Sequence, residues 1–308
     1  MDKEYMFNNY VAIARNYITE KNNLKALKFF KKAYQCPEGK GDVELILDMA
    51  LLYDKVGNYN LAEQMYRKAI EVDENEARAY YGLGILYDED GFYEEAIEFY
   101  KKAIHIDNRY DRAYFFLANA YDELEEKEKA IENYKKVLEL NSKDLWANAN
   151  LGCIYDELED IEKAIYYMKK AEAIDGSHFR ILFNLGVFSN KLGNEEEAKE
   201  YYRKSIEKNP NYPYSYLNYA VIYREKDQYK KAIKILNEGI EENPEEGFLY
   251  YNRACFLVNE NMYEEALEDI EKAIGLNDFF EEYMKKDSEL MPIRSLKKYV
   301  DKYGHSDK

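Results

Sequence analysis

The chain has 308 residues, of which 44 are Lys or Arg and 61 are Asp or Glu, giving a formal net charge of −17. A chain that acidic would repel phosphate backbones, so no nucleic acid partner is expected. The apolar content of 46% excludes a wholly disordered chain, and the low counts of 14 Gly and 5 Pro favour an all-helical protein.

The N-terminal lead, residues 1–6, contains no apolar run, so no secretory signal is expected. No stretch approaches the roughly 18 apolar residues of a membrane span, so no membrane partner is expected. The cysteines, Cys36, Cys153 and Cys255, are odd in number and far apart, which argues against a disulfide framework or a zinc site. Thiols of this kind favour a cytoplasmic protein.

A repeat of 34 residues follows this lead. The segment Ala96–Ala103, AIEFYKKA, recurs as Ala130–Val137, AIENYKKV, at an offset of 34. Extending the frame predicts one repeat domain over residues 7–280, with a two-residue insertion at Gly41 and Asp42. The eight repeats are 7–40, 43–76, 77–110, 111–144, 145–178, 179–212, 213–246 and 247–280.

Two places of the repeat are always small. The twentieth place is alanine in every repeat, from Ala26 to Ala266, and the eighth is Ala or Gly, from Ala14 to Ala254. Small side chains at two fixed places let two antiparallel helices approach closely, because a larger residue would overpack the contact. Each repeat is therefore predicted to be a pair of helices joined by a tight turn.

This pattern resembles the tetratricopeptide repeat (TPR), a 34-residue helix–turn–helix unit, over about nine-tenths of the chain. The resemblance implies an all-α fold, a right-handed α–α superhelix or TPR solenoid, in which the first helices line a concave groove. Two departures are expected to pack less well. Arg253 stands where repeat eight should have Leu, and Asn148 replaces the first bulky residue of repeat five.

The repeat frame ends at residue 280. The sequence then predicts a short helix over Glu281–Leu290 and an amphipathic helix over Pro292–Tyr303. We expect residues 281–308 to form a C-terminal capping helix and tail, because a solenoid exposes the apolar face of its last repeat. A separate binding motif in the tail is the alternative.

No catalytic or metal-binding pattern is found. His105, His178 and His305 lie far from the cysteines and lack metal-ligand spacing. No phosphate-binding loop, serine elbow or kinase signature occurs. We therefore expect no enzyme, no cofactor and no metal.

Matching the chain to the family place by place gives candidate groove residues. The sixth place is asparagine in four consecutive repeats, at Asn150, Asn184, Asn218 and Asn252. This column looks like the asparagine ladder of O-GlcNAc transferase, and an amide pairs with both the C=O and the N–H of an extended backbone. The alternative is that these amides face water or bond to a neighbouring helix.

Charged and aromatic columns complete this predicted groove. The twelfth place is acidic and predicts a basic partner; it holds Asp54, Asp88, Asp122 and Asp156. The second place opposes it with arginines expected to neutralise these acids in part, namely Arg78, Arg112 and Arg180. Solvation or internal pairing of the acids is an equally open alternative. The exposed rings expected on the same face are Trp146, Phe116, Phe248 and, at the fifth place, Tyr81, Phe115, Phe183 and Tyr251.

These columns favour a non-catalytic protein–protein interaction scaffold that binds an extended, basic peptide segment of a protein partner in the concave groove. Two alternatives stay open: a regulatory peptide sensor, and a self-associating assembly module that would form a homo-oligomer. Binding of the peptide by the acidic twelfth-place residues should weaken with ionic strength, whereas binding by asparagine and aromatic contacts should not.

Overall fold

A computed structural model describes residues 3–303, and no strand occurs within that range. Residues 1, 2 and 304–308 lie outside the described residues, and with them His305 and the ends of the predicted lead and tail. Short 3-10 turns occupy Glu38–Lys40 and Met291–Ser295. The helices are α1 (Lys3–Thr19), α2 (Asn23–Tyr34), α3 (Val43–Lys55), α4 (Tyr59–Val72), α5 (Ala77–Glu89), α6 (Tyr93–Ile106), α7 (Asp111–Glu123), α8 (Lys127–Leu140), α9 (Leu145–Glu157), α10 (Ile161–Ile174), α11 (Phe179–Lys191), α12 (Glu195–Lys208), α13 (Pro213–Arg224), α14 (Tyr229–Glu242), α15 (Gly247–Asn259), α16 (Tyr263–Leu276), α17 (Phe279–Lys286) and α18 (Lys297–Tyr303).

The helices divide between two compact parts of the chain, an N-terminal half, Met1–Ala147, and a C-terminal half, Asn148–Lys308. Within each half, consecutive helices pack as pairs, such as α5 with α6 and α11 with α12. The predicted all-α class and its tandem helix pairs are confirmed.

Helix boundaries follow local signals. The Asn58 side chain accepts a hydrogen bond from the Leu61 backbone N–H at the start of α4, and Asp42 accepts one from Leu45 at the start of α3. Between paired helices the backbone turns through a left-handed residue, which is Gly57 with φ +75° before α4.

Both small columns of the repeat are buried. Every alanine of the twentieth place is fully buried in its helix pair. The eighth place needs glycine where a large ring crosses it: a Cβ on Gly84 would lie 2.4 Å from the Tyr100 ring, and one on Gly186 would lie 2.7 Å from the Tyr202 ring. Tyrosine and glycine therefore fill one packing site together, which accounts for part of the high tyrosine content.

The two departures from the repeat pattern have different surroundings. Asn148 is fully buried at the start of the C-terminal half. Arg253 forms a two-point ion pair with Asp269 at 2.6 and 2.7 Å and donates to Asn237 at 2.7 Å. The expectation of poorer packing is wrong at Arg253, because a second substitution, at Asp269, supplies the matching charge.

The C-terminal segment packs on the last helix pair. Leu290 and Ile293 are fully buried, and Arg294 donates to the backbone carbonyls of Met284 and Asp287 at 3.0 and 2.7 Å. The amphipathic helix predicted over residues 292–303 is wrong in extent. A 3-10 turn occupies Met291–Ser295, and α18 begins at Lys297, because these Arg294 bonds hold the chain against α17.

Candidate functional site

A pocket of about 450 Å³ opens on the face formed by α3, α5 and α7 of the N-terminal half. We call it the first-helix pocket, because it is lined mainly by the first helices of repeats two to four. Apolar, aromatic and charged side chains all reach it. Those used below are Asp48, Asp54, Tyr66, Arg78, Tyr81, Tyr110 and Arg112.

The floor of the first-helix pocket is aromatic. A Cβ on Gly82 would lie 2.3 Å from the Tyr66 ring, so glycine at this place lets a tyrosine of the second helix α4 reach the pocket. The Tyr81 ring lies 5.0 Å from the Tyr110 ring and 5.9 Å from the Phe116 ring, between centroids. These contacts form a floor of packed rings.

A second pocket of about 380 Å³ adjoins the first and shares Tyr81, Arg112 and Phe116 with it. Its other walls include Phe115 and Trp146, and Trp146 is 44% exposed. Because Trp146 is the single tryptophan of the chain, its fluorescence reports on this part of the groove alone.

Three members of the predicted acidic column, the twelfth place of the repeat, lie in the N-terminal half, at Asp54, Asp88 and Asp122. Asp54 is half-buried, and no residue within the described range 3–303 forms an ion pair or hydrogen bond with its carboxylate; burial raises its pKa. Asp88 accepts a hydrogen bond from the Tyr100 hydroxyl at 2.9 Å, yet burial still raises its pKa. The pKa of Glu89 is raised by burial and by the nearby charges of Asp54 and Asp88, which places all three acids close together.

Two other members of the acidic column pair within the protein. Lys127 donates to Asp122 at 2.8 Å, and in the C-terminal half Lys191 donates to both oxygens of Asp156 at 2.6 and 2.7 Å. Internal pairing, one of the alternatives from the sequence, therefore describes these two acids, whereas Asp54 forms no such pair within residues 3–303.

The arginine column does not neutralise the acidic column as expected. Arg78 pairs instead with Glu44 and Glu76, each at 2.6 Å, because these acids lie at its own end of the helices. The Arg112 guanidinium makes no ion pair within residues 3–303, and Arg180 lies 5.7 Å from the Phe179 ring centroid. Of these arginines, Arg112 is the one that lines the first-helix pocket without an ion pair in the described part of the chain.

The asparagine column lies in the C-terminal half, and all four side chains are half-buried. The Asn218 amide donates to the Tyr214 carbonyl at 2.9 Å and the Asn252 amide to the Phe248 carbonyl at 2.7 Å, each within its own helix. The Asn184 amide contacts the Cys153 sulfur at 3.5 Å. Bonding within or between helices, the alternative from the sequence, thus occupies part of this column, although each amide oxygen keeps acceptor capacity.

The structure corrects the prediction for one aromatic ring of the groove, that of Tyr251. Tyr251 is only 8% exposed, its ring stacks on Phe280 at 5.3 Å, and its hydroxyl donates to Asp287 at 2.7 Å. The C-terminal segment covers it, so Tyr251 is not an exposed groove residue. Phe183 keeps partial exposure and contacts Tyr212 edge to face at 5.2 Å.

Two residues of the first-helix pocket were not predicted from the sequence. Tyr66 and Tyr110 lie outside the first helix of their repeats, so the place-by-place match did not include them. Glycine at the sixth place of repeat three, Gly82, was the available signal, because it leaves room for a ring from a neighbouring helix. Asp48 also reaches the pocket, where Arg15 pairs with it at 3.4 Å.

Within residues 3–303, no group of His, Cys, Asp and Glu is arranged to hold a metal ion. No helix in the same part of the chain is long and apolar enough to cross a membrane.

The sequence matches the tetratricopeptide repeat over residues 47–111, 111–144, 147–178, 179–212, 201–234 and 249–279, which together exceed half of the chain. It also matches the Sel1 repeat over residues 16–36 and 227–255. The chain therefore belongs to the tetratricopeptide repeat family, whose members are protein-interaction scaffolds. A comparison with curated proteins gave no match.

Solved structures agree with this assignment. The structure of YrrB, described as a TPR protein with an unusual peptide-binding site, is 27% identical, with 60% of this chain and 95% of that chain covered and a TM-score of 0.52. A structure of MamA is 27% identical over 56% of this chain and 94% of that chain, with a TM-score of 0.51. Pseudomonas aeruginosa pilF, at 19% identity, covers 72% of this chain and 99% of that chain with a TM-score of 0.61 and shows the fold alone.

Proposed function

We propose that this protein is a non-catalytic scaffold that holds an extended, basic segment of another protein along the face of its first helices. The observation that carries the proposal is Asp54. Its carboxylate is half-buried in a ring-lined pocket without an ionic partner in the described range, which costs stability unless a cation arrives.

Three further findings support the binding of a basic peptide. Asp88 and Glu89 extend the negative potential beside Asp54, and acids in a cleft concentrate the field toward an incoming cation. The rings of Phe115 and Trp146 provide the aromatic anchors that protein interfaces favour. YrrB, a relative by structure at 27% identity, is described as having a peptide-binding site.

The asparagine column is part of this proposal in a reduced role. Within the C-terminal half, the column would bond to a ligand backbone chiefly through the amide oxygens of Asn150, Asn184, Asn218 and Asn252. Because Asn218 and Asn252 already donate to their own helices, we expect the charged pocket to contribute more binding energy than this column.

The test is binding to an array of peptides of about 15 residues, followed in solution by Trp146 fluorescence. We expect each bound peptide to contain at least one Lys or Arg and its affinity to fall with ionic strength. The double variant Asp54→Asn/Asp88→Asn should weaken binding about tenfold or more.

The matched control is Glu98→Gln/Glu132→Gln, which removes the same charge from exposed positions of the second helices α6 and α8. It should leave affinity near that of the wild type. If no peptide binds above background, or if control and groove variants lose affinity equally, the scaffold proposal is rejected.

Self-association is the second candidate function. Phe279 and Tyr283 are 57% and 53% exposed. Both lie on α17, the helix that follows the last repeat, where they give a second copy an apolar surface to contact. If two copies meet there, sedimentation equilibrium will show a dimer that Phe279→Ser/Tyr283→Ser abolishes and Leu24→Ser, at another exposed apolar residue, does not.

A further inference from the structure

We infer that the first-helix pocket takes a peptide segment with one basic and one acidic residue about five to seven positions apart, the basic residue beside Asp54 and the acidic residue beside Arg112. The inference rests on the proposed function and adds the charge pattern of the bound segment. Among the charged side chains that line the pocket, these two are the ones without an ionic partner in the described range, since Arg78 pairs with Glu44 and Asp48 with Arg15.

The two unpaired charges lie at opposite ends of the pocket. Asp54 is in the last turn of α3, and Arg112 is in the first turn of α7. The ten places between them in the repeat correspond to about 15 Å along a helix axis. The two helices are also two repeats apart, which adds about 16–20 Å across the row and separates the charges by about 22–25 Å. An extended chain covers that length in about seven residues, and the reach of the Arg112 side chain shortens it to about five.

Three tyrosines line the pocket together with the two charges. Burial and the Asp54 charge raise the pKa of Tyr66, so its hydroxyl lies near that carboxylate. Burial raises the pKa of Tyr81 and of Tyr110 to about 12, against the opposing charge of Arg112. A hydroxyl both donates and accepts, so this row can bond to the backbone of a segment that spans the two charges.

The same arrangement disfavours other segments. A wholly basic segment would place a cation beside Arg112, and a wholly acidic one would place a carboxylate beside Asp54 and the acids next to it. Like charges at close range in a cleft cost affinity, so the pocket selects by repulsion as well as by attraction. The separation of the charges also sets the direction in which the segment runs.

The experiment is selection from a displayed library of random peptides of about 12 residues. The targets are the wild-type chain, Asp54→Asn and Arg112→Gln, with Glu98→Gln and Arg203→Gln as controls that remove the same charges from exposed second-helix positions. The wild type and controls should enrich a basic and an acidic residue about five to seven positions apart. Asp54→Asn should lose only the basic preference and Arg112→Gln only the acidic one.

A synthetic peptide from the wild-type selection then gives affinities through Trp146 fluorescence. Each groove variant should weaken it about tenfold, and a peptide with its two charges exchanged should bind the wild type about tenfold less tightly or worse. If the wild type enriches basic residues alone and Arg112→Gln changes nothing, this inference is overturned while the scaffold proposal stands. If no peptide is enriched, both fall.

Discussion

The ion pair between Arg253 and Asp269 makes the stability of repeat eight depend on two residues at once. Repeat two has Met49 and Met65 at the same two places. In repeat eight, the guanidinium donates two hydrogen bonds to the carboxylate, at 2.6 and 2.7 Å, and the side chains are only 20% and 9% exposed. Changing either partner alone should therefore cost much more than changing both.

The magnitudes follow from which charge is left behind. Arg253→Met leaves the buried Asp269 carboxylate without its partner and should cost about 3–5 kcal/mol. Asp269→Met should cost about 1–3 kcal/mol, because Arg253 keeps its bond to Asn237 and part of its exposure. The double variant, which copies repeat two, should lie within about 1 kcal/mol of the wild type or be more stable.

Hydrogen exchange of residues 247–276 is the appropriate assay, supported by denaturant unfolding, because a repeat array does not unfold as one unit. Burial already raises the pKa of Asp269, so Arg253→Met should raise it further and lose less stability at about pH 4.5 than at about pH 7. Single variants within about 1 kcal/mol of wild type, or a double variant less stable than both, would refute the reasoning.

Three further predictions concern packing, charge and the C-terminal segment. Gly84→Ala should cost about 1–3 kcal/mol of stability, because its Cβ would lie 2.4 Å from the Tyr100 ring. The control Gly275→Ala, whose Cβ would have nothing within 4 Å, should add about 0.5–1 kcal/mol of stability. Equal shifts of the two variants in thermal unfolding would contradict this. Asp54→Asn should raise the free energy of unfolding at neutral pH by less than about 1 kcal/mol. The raised folded-state pKa of Asp54 means that its ionised form opposes folding. The gain should vanish below the unfolded pKa of that carboxyl, where both states are protonated, and a pH-independent gain would show that charge is not its cause. Truncation after residue 278 should make Cys255 react with a thiol reagent, because burial, together with Asp287 and Glu289 of the C-terminal segment, raises the pKa of this thiol to about 12. Unchanged labelling of Cys255 would show that the C-terminal segment does not protect it.

The helical repeat itself was predictable because every repeat solves the same packing problem. Alanine at the twentieth place, as in Ala96 and Ala130, is the residue that lets paired helices touch, so its period of 34 predicts the helix pairs directly. The acidic column was predictable for a related reason: residues at one place of a repeat share one face, whatever their partners.

Which of those charges are satisfied was not predictable from their places. Asp122 and Asp156 occupy the same place of the repeat as Asp54, yet each accepts a hydrogen bond from a lysine, whereas Asp54 accepts none within residues 3–303. Arg78 forms ion pairs with Glu44 and Glu76 rather than with the acidic column. Pairing of long side chains is decided over a few Å by neighbours that the repeat frame does not fix.

The sequence by itself determined the family, the helix pairs and the face on which the candidate site lies, because these depend on a period and on residue size. Only the tertiary structure decided that Gly82 admits Tyr66 to the first-helix pocket and that the C-terminal segment buries Tyr251. Both outcomes depend on contacts between elements that do not share the repeat period, a second-helix ring in one case and a non-repeat segment in the other.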